Sequence, residues 1–176
     1  METFLIIGAK GRGKSTAARK RLQIAKSKNR EIVIYDPNRE YSEFYNKEFI
    51  SDEKRFLEMV KPKKNTTLLI EEATIFFTGQ NQSREMRDLL VRARHTNNEI
   101  ILCFHSLRSI PTYILELVNY LILFKTTERE NYVESKFAGF DEIIEAFTEL
   151  KSIPDNNRQN FHKCFVVELN KPVAYI

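Results

Sequence analysis

Thr3-Phe4-Leu5-Ile6-Ile7-Gly8-Ala9-Lys10-Gly11-Arg12-Gly13-Lys14-Ser15 decides how the rest of the chain is read. The apolar run that closes at Ile7 lacks the alternation of a half-buried strand, so it predicts a strand buried on both faces of a parallel sheet. Gly8 to Ser15 then meets the pattern G-x-x-x-x-G-K-[S/T] in full, between that strand and a helical stretch. Each part has a physical task. Glycines let the backbone curl so that its N–H groups face phosphate oxygens. The start of the following helix adds partial positive charge at the same place. Lys14 brings a full charge toward the β- and γ-phosphates, and Ser15 offers a hydroxyl to Mg²⁺. The expected phosphate contacts are Gly8, Ala9, Lys10, Gly11, Arg12, Gly13, Lys14, Ser15 and Thr16.

Working outward, strands alternate with helices. Ser15 to about Ser27 predicts a helix with Ala17, Ala18, Leu22 and Ala25 inward, and Glu31–Tyr35 a second strand. Asp52–Lys61 predicts an amphipathic helix ended by Pro62, and Thr67–Ile70 a third strand. A helix is expected from about Arg84 to Arg94, a fourth strand over Glu99–Phe104, a short helix over Pro111–Leu117 and a fifth strand over Tyr120–Phe124. That alternation means an α/β fold, a doubly wound, mostly parallel sheet with helices on both faces. Beyond Lys125, Gly139–Leu150 is expected to be helical. Phe161–Leu169 and Pro172–Ile176 are expected to pair as a terminal hairpin around Asn170-Lys171. No boundary interrupts the pattern, so residues 1–176 are read as one domain, with a core of about 3–125 and a decoration of about 126–176.

The third strand ends in Glu71-Glu72. Paired carboxylates at a strand end suit a metal and a water: Glu71 is assigned to Mg²⁺, and Glu72 to orienting and polarising the water that attacks the γ-phosphate. Acids at that position would also stabilise the first turn of a following helix.

The formal net charge of +4 favours a polyanionic partner only mildly, but its distribution is uneven. From Lys10 to Arg30 every charged residue is basic, which fits either a solvated helix face beside a phosphate site or a surface that meets DNA. The two cysteines, Cys103 and Cys164, suggest neither a disulfide framework nor a metal site, and Cys103 reads as a small buried hydrophobe. No apolar run approaches the roughly 20 residues that span a bilayer, so a cytoplasmic (or virion-associated) protein without an integral membrane segment is expected.

Further residues resemble one branch of these enzymes. Tyr35-Asp36-Pro37-Asn38-Arg39-Glu40-Tyr41 resembles the Asp-Pro-x-x-Glu-Tyr segment of HerA-type translocases. Arg92-Ala93-Arg94-His95 followed by Glu99–Phe104 resembles a stretch shared with zonula-occludens-toxin-like phage proteins. His105 stands where that branch ends its fourth strand in a polar sensor, usually Gln, and Glu71 where Asp is usual. The resemblance covers about Phe4 to Lys125 and is to the FtsK–HerA superfamily of P-loop NTPases; within it, the small size resembles genome-packaging ATPases of viruses with internal membranes. It implies an additional strand between the phosphate-loop strand and the acidic strand, ATP as the nucleotide, and a ring, commonly a hexamer, with ATP at each junction. It also implies a sensor role for His105 and a role for Arg92 or Arg94 across the junction.

The expected activity is therefore ATP hydrolysis coupled to movement of double-stranded DNA, with capsid or portal proteins as further partners. A phage assembly or DNA-export ATPase, or a nucleotide kinase, uses the same phosphate chemistry. Thr78–Arg84 is the stretch expected to face DNA.

Overall fold

The computed structural model describes residues 2–44, 50–77, 80–156 and 160–169, with backbone alone at 80–83. In chain order these residues form β1 (Thr3–Ile7), α1 (Lys14–Ser27), β2 (Glu31–Tyr35), α2 (Glu53–Val60), β3 (Thr66–Ile70), α3 (Gln80–Thr96), β4 (Glu99–Phe104), β5 (Tyr120–Phe124), α4 (Glu130–Lys136), α5 (Asp141–Ser152) and β6 (Cys164–Glu168). One sheet takes the order β2-β3-β4-β1-β5-β6. Its first five strands in sequence pair in parallel, and β6 joins β5 antiparallel. β4 lies between β1 and β3, which is the additional strand the resemblance implies.

Every position of β1, β3 and β4 is buried, as unalternated apolar runs require when helices cover both faces. Successive side chains still go to opposite faces. Leu5, Ile7, Leu68, Ile70, Leu102 and Phe104 meet Phe56 of α2, Met86 and Leu90 of α3, and Phe147 of α5. Phe4, Ile6, Leu69, Ile101 and Cys103 meet Ala18 and Leu22 of α1. Each fully buried Leu, Ile or Phe contributes roughly 1.5–3 kcal/mol before entropy is subtracted. On the first face Tyr35 and Phe76 pack edge-on at 4.8 Å between ring centroids, a geometry that adds to area burial.

Local signals set several boundaries. The Asp52 side chain accepts the backbone N–H of Arg55 at 2.7 Å and so caps α2. The helix expected from Arg84 begins instead at Gln80. The stretch expected to face DNA is thus helical from Gln80 on, and residues 78 and 79 lie outside the described residues. The short helix expected over Pro111–Leu117 is a 3-10 turn over Thr112–Glu116 with Pro111 as its N-cap. Gly139, at φ 90°, separates α4 from α5, so the expected start at Gly139 moves to Asp141. Of the expected terminal hairpin, the first arm adds to the open edge of β5 over Cys164 to Glu168, with Phe124 opposite Cys164. The hairpin's second arm, Pro172–Ile176, lies outside the described residues.

β1 has β4 on one side and β5 on the other, while the chain leaves it toward β2 at the far edge. This change of direction opens a crevice at the carboxyl ends of the strands, where ligands of such sheets bind.

Candidate active site at the carboxyl ends of β1 to β4

The loop after β1 is pinned at its base. Gly8 N–H donates to the Phe104 carbonyl at 3.3 Å, and Ala9 N–H to that of Lys125 at 3.0 Å. Gly11 and Gly13 hold φ of 79° and 110°, the left-handed region that lets the chain curl back over α1. No side chain caps the first turn of α1, so its N–H groups face the loop's hollow. Gly8 has a steric duty as well: a Cβ there would lie 2.6 Å from Phe124 Cβ. Gly8→Ala must therefore push β5 away. It is expected to cost about 1–3 kcal/mol in urea unfolding and to weaken nucleotide binding by about tenfold or more. Unchanged unfolding would show instead that β5 yields easily.

Lys14 is buried at 5% exposure beneath this loop. Its ammonium donates to His105 Nδ1 at 2.9 Å and reaches the Ala9 carbonyl at 3.4 Å. Burial lowers its pKa, while the nearby Glu71, Cys103, Glu72 and Glu40 act in the opposite sense. With Nδ1 accepting from Lys14, the ring carries its proton on Nε2, which donates to Glu72 Oε2 at 2.6 Å. Lys14, His105 and Glu72 thus form one chain from the phosphate loop to the end of β3. Glu72 takes φ 57°, a left-handed conformation uncommon outside glycine, which turns its carboxylate from the strand line toward His105.

Glu71 lies deeper, at 3% exposure. Burial pushes its carboxyl pKa up, and hydrogen bonds from Tyr41 and the Cys103 thiol pull it back. Tyr41 OH donates to Glu71 Oε2 at 2.9 Å, and Ser15 Oγ donates to Glu40 Oε2 at 2.7 Å. Cys103 is buried as the sequence implies, and it also faces this carboxylate. The groups gathered around Ser15 are a hydroxyl and carboxylates, hard oxygen donors that suit Mg²⁺. Among the described residues no cluster of three or more His, Cys, Asp or Glu forms a metal cage.

Several expected contacts stand elsewhere. The Arg12 guanidinium pairs with Asp155 and lies 4.1 Å from the Phe161 ring centroid, so only its backbone remains in the loop. Lys125 also reaches Asp155, at 3.1 Å. Lys10 and Thr16 are exposed at the loop's rim. Arg92 and Arg94 are exposed near the end of α3, which runs down to the start of β4, and the structure does not bring them to the phosphate loop. The basic run divides: Arg12, Arg19, Arg21 and Arg30 hold Asp155, Glu43, Glu99 and the Thr66 carbonyl, whereas Lys10, Lys20, Lys26 and Lys28 are exposed. Sequence reasoning gave Glu40 and Tyr41 no role of their own; the acid-and-aromatic pair five residues past β2 was the available signal.

A family model described as the central domain of helicase HerA matches residues 2–165. Solved structures with the same fold include the genome packaging NTPase B204 of Sulfolobus turreted icosahedral virus 2 in complex with ATP-gammaS. It aligns at TM-score 0.74 and 19% identity over 96% of this chain and 92% of that one. B204 of Sulfolobus turreted icosahedral virus, described as the DNA-packaging ATPase, aligns at 0.70 and 18% over 98% of both chains. Thermomonospora curvata EccC (ATPases 2 and 3) aligns at 0.56 and 15% over 72% of this chain and 30% of that one. No curated protein sequence matches. No helix among the described residues is long and apolar enough to cross a membrane.

Proposed function

This chain belongs to the family of the HerA helicase central domain, and from that membership and the site geometry we propose that it is an ATP-hydrolysing DNA translocase of the genome-packaging kind. The observation that carries the reading is the Lys14–His105–Glu72 chain beside the buried Glu71 carboxylate. The loop N–H groups and Lys14 bind the triphosphate. Mg²⁺, held by Ser15 and Glu71, would neutralise phosphate charge when bound. Glu72 takes the proton from the attacking water as its oxygen bonds to the γ-phosphorus and the bond to the β-γ bridging oxygen breaks, leaving ADP and phosphate. His105 is the sensor: a γ-phosphate competes for the Lys14 ammonium, and loss of that contact reaches Glu72 through one ring.

Double-stranded DNA is the proposed substrate of movement and a ring, commonly of six copies, the proposed assembly, with capsid or portal proteins as its setting. The exposed lysines of α1 offer backbone contacts that carry no sequence preference and weaken with salt. Double-stranded DNA is expected to raise the hydrolysis rate several-fold at about 50 mM salt and to lose most of that effect by about 200 mM. Phosphate release measured with and without DNA at both salts checks this. Transfer of the γ-phosphate to a small acceptor, with no response to DNA, would replace the motor with a kinase.

A further inference from the structure

The loop that follows β2 is locked before it reaches the site. Asp36 is fully buried, and its two carboxylate oxygens accept the backbone N–H groups of Glu40 at 3.0 Å and Tyr41 at 2.8 Å. Arg39 takes φ 58° to close the turn. Arg19 of α1 donates to the Glu40 carbonyl and pairs with Glu43 at 2.9 Å. Tyr41 is fully buried. Two consecutive side chains from this rigid loop then reach two different elements: Glu40 holds Ser15 at the start of α1, and Tyr41 holds Glu71 at the end of β3.

The direction of both bonds matters. Ser15 donates to Glu40, a bond that does not use its oxygen lone pairs, and Tyr41 lies beside the same hydroxyl. Tyr41 gives its hydrogen to Oε2 of Glu71, and the Cys103 thiol is a second donor to the same carboxylate, whose four lone-pair sites leave room for a metal or its water. Glu71 also has one more rotatable bond than aspartate, and a fixed donor removes that freedom. Resting on the ATPase reading above, we propose that Glu40 and Tyr41 are the positioning residues of the magnesium site, one locked loop aiming both Ser15 and Glu71.

Partners of this kind tune metal affinity by about 10–100-fold in other proteins. The test measures affinity for a non-hydrolysable ATP analogue in EDTA and across a Mg²⁺ titration. It uses wild type, Tyr41→Phe, Glu40→Ala, Glu71→Asp and the Glu71→Asp/Tyr41→Phe pair. Tyr41→Phe and Glu40→Ala are expected to keep the EDTA affinity within about twofold and to weaken the Mg²⁺ response by about tenfold or more. Once Glu71 is shortened to aspartate, Tyr41→Phe is expected to cost nothing further. Equal losses in EDTA and Mg²⁺ would make the loop merely structural, and an unchanged Mg²⁺ response would remove its role altogether; both overturn the inference while leaving the ATPase reading intact. A wild type whose affinity ignores Mg²⁺ overturns both.

Discussion

Glu72→Gln should lower kcat for ATP by about 10³-fold, the middle of the range for a general base, while ATP affinity moves little. The substitution is close to isosteric, and its amide oxygen still accepts from His105 Nε2, so the Lys14–His105 arrangement survives. What disappears is the charge that takes a proton from water. The Glu72 side chain is 33% exposed, so removing its charge leaves little behind that needs a partner. The left-handed backbone at Glu72 is unaffected in kind, because Gln meets the same steric limits as Glu. Steady-state phosphate release and fluorescent-nucleotide binding on the same preparation check both halves of the expectation. A variant that keeps more than about a tenth of the rate would move the general base elsewhere, with Glu40 the next carboxylate to examine.

The parts legible in the sequence were those written locally. A glycine loop between an apolar run and a helix needs no distant residue to be recognised, and the strands of the parallel sheet carry their burial in unbroken apolar runs. The site was half legible for the same reason: Lys14, Ser15, Glu71 and Glu72 sit in local patterns. Their directions were not legible. The turn that aims Glu72 at His105 is a backbone choice made after β3, and Tyr41 meets Glu71 only because β2 and β3 lie side by side. Arg12 carries the pattern of a phosphate contact, yet Asp155 and Phe161 claim its side chain from the other end of the chain. β6 shows a pairing that no local signal announces: β5 offered an open edge with unpaired backbone groups, and Cys164–Glu168 satisfied those.

Lys14→Ala should abolish hydrolysis by about 10³-fold, since it removes a full charge from a site where each aimed donor is worth 10²–10³. It also leaves His105 Nδ1 without its donor. This inactive subunit is a tool for the arginines. Arg92 and Arg94 flank buried Ala93, roughly 200° apart around α3, so a single neighbouring surface engages one of them at a time. Arg92 lies in the groove toward α2, beside Leu57, Glu58 and Asp88. Both stand away from their own phosphate loop, so on the translocase reading any part that one of them plays in hydrolysis would fall on the ATP of an adjacent subunit, where such a residue is worth about 10³–10⁵ in rate. Lys14→Ala subunits keep both arginines, and Arg92→Ala/Arg94→Ala subunits keep an intact loop. Each preparation alone is expected to be inactive. In an equal mixture, about a quarter of junctions join an intact loop to an intact arginine, and that share of the wild-type rate should return. Recovery followed by separate Arg92→Ala and Arg94→Ala mixtures identifies the residue. A mixture that stays inactive, or an arginine variant that is fully active alone, confines both residues to the end of α3, where basic groups meet the negative pole of the helix.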